Sequence, residues 1–261
     1  MSQPLVSIVI LCHDDAVYLP GCAASIRRHT RVPYELILVD NGSTDDAAGA
    51  FRSVRRALPC RVRVLRNREN RFFAAGNNQG MATAAGEYLL LLNADTVVAP
   101  GWLESLLACV RRDPGLGTVG PYTNHAAGPQ VLWPERYDSV RGLDRWALAW
   151  AEKRRGRIRY VPWIIGFCML LPRRVLERVG DLDERFGPGG FEDYDYCLRL
   201  RLAGYRIAIA EDSYVHHYGG RGYVHMGYDS LRLRNREVYR DKWGQWTFDR
   251  VRGGSVAALR G

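Results

Sequence analysis

Four carboxylates, in three segments that lie far apart in the sequence, occupy similar positions. Asp40 and Asp95 come at the ends of short apolar runs, and Glu192 and Asp193 follow a glycine-rich segment. Buried parallel strands read as short apolar runs, and the ligands of open α/β sheets bind beyond the carboxyl ends of the strands. We therefore expect these acidic groups at one edge of a sheet, where they suit a metal-bound, diphosphate-bearing substrate.

The first half of the chain alternates the patterns of strands and helices. Continuous apolar runs predict strands, and apolar residues at helical spacing predict helices. Strands are expected at residues 6–11, 34–39, 61–65 and 87–92, and helices at 18–29, after 44, at 75–85 and after 100. Ser43 or Thr44 is expected to cap the second helix, with Asp45 and Asp46 in its first turn. Repeated βαβ units of this kind imply a parallel sheet.

The second half is less regular, yet nothing in it marks a second domain. Residues 121–134 are rich in Gly, Pro and polar side chains and predict a loop. Strands are expected at 161–171 and 205–210, and helices at 141–155, 172–179 and 191–203. Because the chain has no internal repeat and no low-complexity linker, we expect a single domain over residues 1–261.

The composition is that of a soluble globular protein, with 47% hydrophobic and 25% charged residues among 261. The formal net charge of +9 favours nucleic acid, an anionic membrane surface or a phosphate-bearing substrate, and an arginine-rich solvated surface explains it at least as well. The six cysteines form no Cys-x-x-Cys pair, and no signal-peptide pattern is present, so we expect a reducing, cytoplasmic compartment. No apolar stretch approaches the ~20 residues of a membrane-spanning helix.

Two strand ends each have two interpretations. A strand that ends in Asp40 and turns through Asn41-Gly42-Ser43 offers a carboxylate to the ring N–H of a pyrimidine. A turn with a helix cap explains the same residues, and from this segment alone it is the better explanation. Asn93-Ala94-Asp95 is explained equally well by a strand-to-loop turn and by a metal site. Mg²⁺ and Mn²⁺ take carboxylates and substrate phosphates as ligands.

Three later or intervening segments add further chemistry. In Glu192-Asp193-Tyr194-Asp195, three acidic residues in four exceed what a helix start needs, and their repulsion raises at least one pKa, as a general base requires. His216 or His217, which precede two glycines, is a competent ligand for Mn²⁺, although a surface histidine is the default interpretation. The polar loop at residues 66–78 either binds a nucleotide or is simply solvated.

Taken together, these segments resemble the family-2 glycosyltransferases with the GT-A fold, over about residues 6–244. The matching pieces are VSIVI at 6–10, VDNGSTD at 39–45, residues 70–80, LNAD at 92–95, GGFEDYD at 189–195 and HYGG at 217–220. Each piece is weak by itself, whereas their joint order and separation are specific. Residues 235–244 also resemble the ending of the rhamnosyltransferase-like branch.

The resemblance implies a donor site along the first strands. Asp40 would bind the uracil or thymine ring of the nucleotide. The turn after the first strand would line the same pocket through Cys12, His13 and Asp14. Arg71 would offset the charge of the diphosphate, and Asn77 and Ala94 would complete the donor-binding residues.

The resemblance also implies the metal ligands and the base. Asp95 would be the principal ligand of Mn²⁺ or Mg²⁺, and His217 would complete the shell. Asn93 stands where the family's Asp-x-Asp motif has its first aspartate, which reduces the negative charge of the site. Asp193 would be the general base, and Glu192 would support the loop or contact the acceptor.

The implied fold is α/β of the GT-A (Rossmann-like) type, with a mostly parallel central sheet flanked by helices and a smaller acceptor-side extension. Residues 1–120 would form the nucleotide-sugar half, 121–220 the acceptor and catalytic half, and 221–261 a basic, aromatic, helical tail. The implied reaction is an inverting, metal-assisted transfer of a hexosyl or deoxyhexosyl group from a UDP- or dTDP-sugar. The acceptor would be a hydroxyl of a sugar, a lipid-linked molecule or a small molecule.

Two other classes compete with this assignment. A nucleotidyltransferase usually has a Gly- and Arg/Lys-rich loop after the first strand, whereas here the loop is the acidic Cys12-His13-Asp14-Asp15. A nucleic-acid-binding module is permitted by the charge, but the strongest cluster is acidic and would repel phosphate without a metal, so we expect no nucleic-acid partner.

The remaining partners are open at this stage. The basic segment at 221–243 either docks on the inner membrane face as an amphipathic helix or covers the sheet and the acceptor side. A homodimer is also left open.

Overall fold

Strands and helices alternate through the first half of the chain, as its apolar pattern predicts. The computed structural model describes residues 6–132, 137, 139–187, 189–219 and 228–244. Its first elements are β1 (Val6–Cys12), α1 (Leu19–His29), β2 (Tyr34–Asn41), α2 (Ala47–Ala57), β3 (Val62–Asn67), α3 (Phe72–Ala82), β4 (Tyr88–Asn93), β5 (Thr96–Val98) and α4 (Trp102–Arg112).

The second half adds shorter elements and two 3-10 turns, at Val140–Gly142 and Glu184–Phe186. Its strands and helices are β6 (Leu116–Tyr122), α5 (Leu143–Arg154), β7 (Ile158–Tyr160), β8 (Cys168–Pro172), α6 (Arg173–Val179), α7 (Glu192–Leu202), β9 (Arg206–His217) and α8 (Tyr228–Trp243). The strand predicted at 205–210 is therefore twice as long as expected, and β6 and β7 were not foreseen.

The predicted strand over residues 161–171 is wrong in its first part, because β8 begins only at Cys168. Two consecutive amides before it bond to side chains instead of to a neighbouring strand. The N–H of Ile165 donates to Oε1 of Gln130 at 2.6 Å, and the N–H of Gly166 donates to Oδ2 of Asp193 at 3.3 Å. The segment is apolar because it is buried, but these two backbone N–H groups bind side chains and not a neighbouring strand.

Among the described residues, nine strands form one mixed sheet in the order β3-β2-β1-β4-β8-β6-β9-β5, with β7 pairing beside β9. The strands β3, β2, β1 and β4 are parallel, which confirms the βαβ prediction for the first half. β8 runs antiparallel to both β4 and β6. β9 is parallel to β6 and antiparallel to β5 and β7.

Side chains along each central strand alternate between two helical layers. Ile8 and Ile10 of β1 belong to an apolar cluster that contains residues of α1, α2 and α4. Val9, between them, belongs to a second cluster with residues of α3, α5, α6 and α7. Because helices cover both faces, every position of such a strand is buried, and its sequence is a continuous apolar run.

The cap of α2 differs from the prediction. Asp46 caps the helix, since its Oδ1 accepts the N–H of Gly49 at 3.0 Å. Ser43 and Thr44 are instead bonded to the loop after β1, where Asp14 accepts the N–H of Thr44 at 2.6 Å. Ser43 and Thr44, the predicted caps, are therefore used in a contact between two loops.

The C-terminal helix covers α7 and not the sheet. Tyr239 of α8 packs with Phe186, Phe191 and Leu198 in a small apolar cluster. The rest of the predicted tail, residues 221–227 and 245–261, lies outside the described residues. No helix in the described part of the chain is long and apolar enough to cross a membrane.

Gly80 of α3 lies against β1 without room for a side chain, because a Cβ there would come within 2.4 Å of Cγ1 of Val9. We expect Gly80→Ala to lower the free energy of unfolding by about 1–3 kcal/mol through overpacking. Gly21→Ala in α1 is the control: nothing lies within 4 Å of its Cβ, so the better helix former should raise stability by about 0.5–1 kcal/mol. Urea unfolding measures both, and destabilisation of equal size would contradict the packing argument.

Candidate active site

The carboxyl ends of three neighbouring strands lie side by side. In the register of the sheet, Cys12 at the end of β1 pairs with Asp40 of β2, and Leu11 pairs with Asn93 at the end of β4. The loops that follow these strands therefore begin at the same edge, where open α/β sheets bind their ligands. The structure thus brings the Asp40 segment and the Asn93–Asp95 segment to one edge.

Asp14 joins the loop after β1 to the loop after β2. Its Oδ1 accepts the backbone N–H of Thr44 at 2.6 Å and of Asp45 at 3.2 Å. Asp45 returns the contact through Oδ2, which accepts the N–H of Ala16 at 2.8 Å. Partial burial opposes ionisation, but the hydrogen bonds outweigh it and lower the pKa of Asp14. This carboxylate fixes how the two loops lie against each other.

The neighbours of Asp14 are placed differently from one another. Asp40 is half-buried, and its Oδ1 accepts the N–H of Ser43 at 3.1 Å. Cys12 is fully buried in the apolar core, where burial raises the pKa of its thiol, so the atom that it presents to the loop is its carbonyl oxygen, which accepts the hydroxyl of Ser43. His13 lies half-buried, with its Nε2 3.9 Å from Oδ2 of Asp14.

Asn41 organises the polar loop between β3 and α3. Its Nδ2 donates to Oδ1 of Asn70 at 2.8 Å, and its Oδ1 accepts from Nδ2 of Asn67 at 3.0 Å and from the N–H of Arg71 at 3.1 Å. The side chain of Arg71 is exposed. Arg71 therefore has an anchored backbone and a guanidinium that faces solvent.

Asn77 and Ala94, which the resemblance assigns to donor binding, are both buried. Asn77 is 2% exposed, and its Nδ2 donates to the carbonyl of Phe73 at 2.9 Å within α3. The methyl group of Ala94 lies in the apolar cluster on the α1 side of the sheet. Neither side chain projects into solvent at the edge.

Asp95, His217 and Asn93 meet where β4 and β9 end. Nε2 of His217 lies 3.2 Å from Oδ1 of Asp95 and 3.4 Å from Nδ2 of Asn93. Oδ2 of Asp95 accepts the N–H of Gly219 at 3.1 Å, which fixes the carboxylate. His217 thus contacts both Asp95, the other expected metal ligand, and Asn93. Gly220, of the same motif, lies outside the described residues.

The hydrogen bonds of His217 leave a place for a cation. Its Nδ1 lies 2.8 Å from the carbonyl oxygen of His125, which can only accept, so Nδ1 carries a proton. In a neutral ring Nε2 then carries a lone pair, 3.2 Å from Oδ1 of Asp95 and 3.4 Å from Nδ2 of Asn93, and this lone pair can bind a divalent cation beside the carboxylate. Metal-ligating histidines usually donate their other N–H to a carbonyl or carboxylate in this way. The residues present fit Mn²⁺ or Mg²⁺.

The protein supplies only part of a coordination shell. Within the described ranges, no group of three or more His, Cys, Asp or Glu side chains is placed to hold a metal ion. Mg²⁺ is usually bound through one or two carboxylates together with substrate phosphates and water. The Asp95–His217 pair therefore suits an ion that is held jointly with a diphosphate.

His216 takes no part in this pair. Its Nδ1 lies 2.6 Å from the hydroxyl of Tyr137, and burial lowers its pKa to about 4. Successive side chains of a strand point to opposite faces, so only one of two adjacent histidines at the end of β9 can face Asp95.

Glu192 and Asp193 begin α7 and are almost completely buried, with 4% and 7% exposure. Asp193 accepts the N–H of Tyr194 at 2.8 Å and the N–H of Gly166 at 3.3 Å, one on each oxygen. Burial raises the pKa of Asp193 to about 6, and burial together with the charge of Asp193 raises the pKa of Glu192 to about 8. Both pKa values are thus raised towards neutrality, where a general base is most effective.

Asp195, two residues later, has a different environment. It is fully buried and contacts three donors: Nζ of Lys242 at 2.6 Å, Nε of Arg199 at 2.9 Å and Nε1 of Trp243 at 2.8 Å. Two cations compensate its charge, so this carboxylate is held in a structural ion-pair network. Oε2 of Glu192, by contrast, is buried without a hydrogen-bond partner.

Two consecutive residues connect the acidic pair to the histidine. Gly166 donates its N–H to Asp193, and the ring of Phe167 stacks on His217 with centroids 5.1 Å apart and planes at 12°. The carbonyl of Phe167 also accepts the N–H of Asn93 at 2.8 Å. Asp193 and the Asp95–His217 pair are therefore linked through two adjacent residues.

Sequence reasoning missed Gly166 and Phe167 because they lie inside an apolar segment that predicts a strand. A Cβ on Gly166 would come within 2.8 Å of Cζ of Phe73, so a side chain does not fit there. A glycine inside a strand-like run is the signal that could have found this close approach.

Two further residues escaped the sequence analysis. Asn124 brackets the backbone of His217, accepting its N–H at 2.8 Å and donating to its carbonyl at 3.0 Å. Burial and the charge of Asp95 raise the pKa of Asp15 to about 7. Asn124 falls in a segment that reads as loop, where local sequence carries no signal of its partner.

Comparisons with known proteins agree on one family. The model described as "Glycosyl transferase family 2" matches residues 7–180. The chain is 30% identical over 235 residues to the O-antigen biosynthesis protein RfbC of Myxococcus xanthus, covering 82% of this chain and 17% of that protein. It is 27% identical over 235 residues to the N-acetylglucosaminyl-diphospho-decaprenol L-rhamnosyltransferase of Mycobacterium tuberculosis, covering 81% and 75%.

The solved structure of GalNAc-T7 with UDP, GalNAc and Mn²⁺ shares the fold. It superposes with a TM-score of 0.70 at 17% identity, over 99% of this chain and 53% of that one. The central α/β sheet is therefore of the GT-A type. The chain spans 27%, 17% and 40% of the lengths of three of the curated relatives that it matches.

The raised pKa of Glu192 makes stability depend on pH. Its folded value of about 8 lies above the ordinary value of 4.5, so this group's contribution is full below pH 4.5 and is lost as the pH rises towards 8. We expect Glu192→Gln to gain stability relative to the wild type between pH 5 and pH 8 by more than about 1.4 kcal/mol, the value of one pKa unit. Urea unfolding in chelator measures this. The exposed Glu177→Gln is the control, and a gain independent of pH would refute the assignment.

Proposed function

The chain belongs to glycosyl transferase family 2, and on that premise we propose that it transfers a sugar from a nucleoside-diphosphate sugar to a hydroxyl acceptor with inversion. The observation that carries the proposal is the link through Gly166 and Phe167, which holds a buried, ionised carboxylate beside the Asp95–His217 pair. A base and a site for the leaving diphosphate are the two features that this reaction needs.

We assign the donor to residues 1–120 and the acceptor and catalytic groups to 121–220. Asp40 accepts the ring N–H of the base, which uracil and thymine present alike, so UDP and dTDP are both compatible. The loop held by Asp14 and Asp45 forms the edge of this pocket. Arg71, with its anchored backbone and exposed guanidinium, is available to the diphosphate.

Asp95 and His217 would hold Mn²⁺ or Mg²⁺, with the amide of Asn93 beside them. Such an ion, when bound, offsets the negative charge that develops on the leaving diphosphate and contributes several kcal/mol of stabilisation. The solved GalNAc-T7 structure contains UDP and Mn²⁺ on the same fold. The single carboxylate of Asp95 makes the pair less acidic than an Asp-x-Asp motif.

Asp193 acts as the general base. Its carboxylate, ionised near pH 7, takes the proton of the acceptor hydroxyl while that oxygen bonds to the anomeric carbon of the donor sugar. The bond between that carbon and the diphosphate oxygen breaks on the opposite face, and the proton on Asp193 later returns to solvent. Glu192, whose pKa is raised by burial and by the charge of Asp193, supports the loop or contacts the acceptor.

The name of one of the relatives supports a class of acceptor. The mycobacterial rhamnosyltransferase acts, by its name, on a lipid-linked diphospho-sugar. We propose a hexosyl or deoxyhexosyl group as the cargo and a sugar or lipid-linked hydroxyl as the acceptor, used at the cytoplasmic side of the membrane. The family match favours neither the nucleotidyltransferase nor the nucleic-acid-binding module.

A thermal-shift panel of UDP- and dTDP-sugars, each with Mn²⁺, Mg²⁺ or chelator, tests the donor and the metal together. We expect one nucleotide to raise the melting temperature only with a divalent cation, because ligands stabilise the state that they bind, by about 2.7 kcal/mol at a hundredfold excess over Kd. Asp95→Ala should abolish the metal-dependent part. Equal stabilisation by nucleotide with and without metal, in wild type and variant, would reject the role of Asp95.

Asp193→Asn tests the base. The amide cannot take a proton, so turnover should fall by at least about 10²-fold, the usual contribution of a general base. Nucleotide affinity should stay within about twofold, since this side chain lies on the acceptor side. Asp195→Asn is not a clean comparison, because that carboxylate anchors α8. A variant at 193 with near-normal turnover would move the base to another group.

A further inference from the structure

The C-terminal helix contacts the loop that leads into the acidic pair. Nδ2 of Asn235 in α8 lies 2.6 Å from the carbonyl oxygen of Phe186, 2.8 Å from that of Gly189 and 3.1 Å from that of Gly190. Asn235 is fully buried. The two N–H groups of one side-chain amide are therefore shared among three backbone carbonyls in the stretch that precedes Glu192.

This loop needs external support because of its backbone conformation. Gly187, Gly189 and Gly190 have φ of +53°, +119° and +90°, and Phe191 has φ of +79°. A positive φ at a residue such as Phe191 costs of the order of 1–3 kcal/mol and persists only where the surroundings impose it. Two of the carbonyls that Asn235 binds, those of Gly189 and Gly190, directly precede Phe191, and the third, that of Phe186, lies at the start of the loop. These hydrogen bonds therefore hold the loop in the conformation that starts α7 at Glu192.

The end of α8 is fastened to the same region by charge. Nζ of Lys242 lies 2.6 Å from Oδ2 of Asp183 and 2.6 Å from Oδ1 of Asp195, while Nε1 of Trp243 donates to Asp195 at 2.8 Å. Asp183 precedes the loop and Asp195 follows it. Lys242 therefore bridges the two ends of the segment that carries Glu192 and Asp193.

We propose that α8 is a positioning element for the catalytic base, in which Asn235, Lys242 and Trp243 hold the glycine loop and the first turn of α7 in register with Gly166. This inference rests on the proposed function of Asp193. The described contacts of α8 concentrate on the loop carbonyls and on Asp195, which surround the base. A helix that served only to cover apolar surface would not need these polar contacts at both ends of the loop.

Three substitutions on α8 separate positioning from general stability. Asn235→Leu removes the donors at similar volume, Lys242→Met removes the bridging cation, and Trp243→Phe removes a single N–H while keeping the aromatic ring. Lys242→Arg restores a cation as the conservative rescue. Thr118→Val is the matched control, since it deletes a buried hydrogen bond, to the carbonyl of Leu170 at 3.0 Å, in the middle of the sheet.

The measurements are hydrogen exchange over residues 186–195, affinity for UDP with Mn²⁺, and turnover of the sugar nucleotide that the panel selects. We expect exchange in this segment to rise by about tenfold or more in Asn235→Leu and Lys242→Met. kcat should fall by about 10- to 100-fold, because a small misplacement of a catalytic group has this effect. UDP affinity and KM for the donor should change by less than about twofold. Trp243→Phe should show the same pattern more weakly.

The control decides between the two explanations. Thr118→Val should lower the melting temperature without changing exchange at 186–195 or kcat, and Lys242→Arg should recover most of the turnover. Unchanged exchange in all three α8 variants, or an equal loss of kcat in Thr118→Val at matched melting temperature, would overturn the proposal. If exchange rises as expected but UDP fails to bind even the wild type, then the positioning role stands and the proposed donor is wrong.

Discussion

The site depends on two consecutive residues, Gly166 and Phe167, which contact two different functional side chains. The amide of Gly166 holds the carboxylate of Asp193, while the ring and carbonyl of Phe167 hold His217 and the end of β4. Because Gly166 and Phe167 are adjacent in the chain, their contacts couple the position of the proposed base to that of the proposed metal ligands. The sheet supplies the edge on which these groups sit, and the 166–167 segment links them.

The three carboxylates at the start of α7 show how environment divides like residues among unlike roles. Among the described residues no cation pairs with Glu192 or Asp193, and burial raises both pKa values. Asp195, equally buried, is compensated by Lys242 and Arg199 and becomes an anchor. Sequence shows only three acids in four positions. Which of them keeps a reactive oxygen depends on cations that arrive from elsewhere in the chain.

Sequence predicted the features that depend on local patterns and missed those that depend on residues distant in the chain. β1, β2 and β4 were readable because helices cover both their faces, so their residues are uniformly apolar. The 161–167 segment misled because it is equally buried while its amides bond to Gln130 and Asp193. The cap at Asp46 was missed because Asp14, about thirty positions away, engages Thr44. The candidate metal pair came from motif resemblance, since no local pattern joins Asp95 to His217.

The position of β9 has a consequence for how the protein is made. Asn93 and His217 are 124 positions apart, and β9 is the strand that joins β5, β6 and β7. A ribosome delivers the first four parallel strands, with Asp95 close behind, long before it delivers His217. The growing chain therefore contains Asp95 while it still lacks the histidine beside it. Affinity for Mn²⁺ would then distinguish the finished protein from its partly synthesised forms.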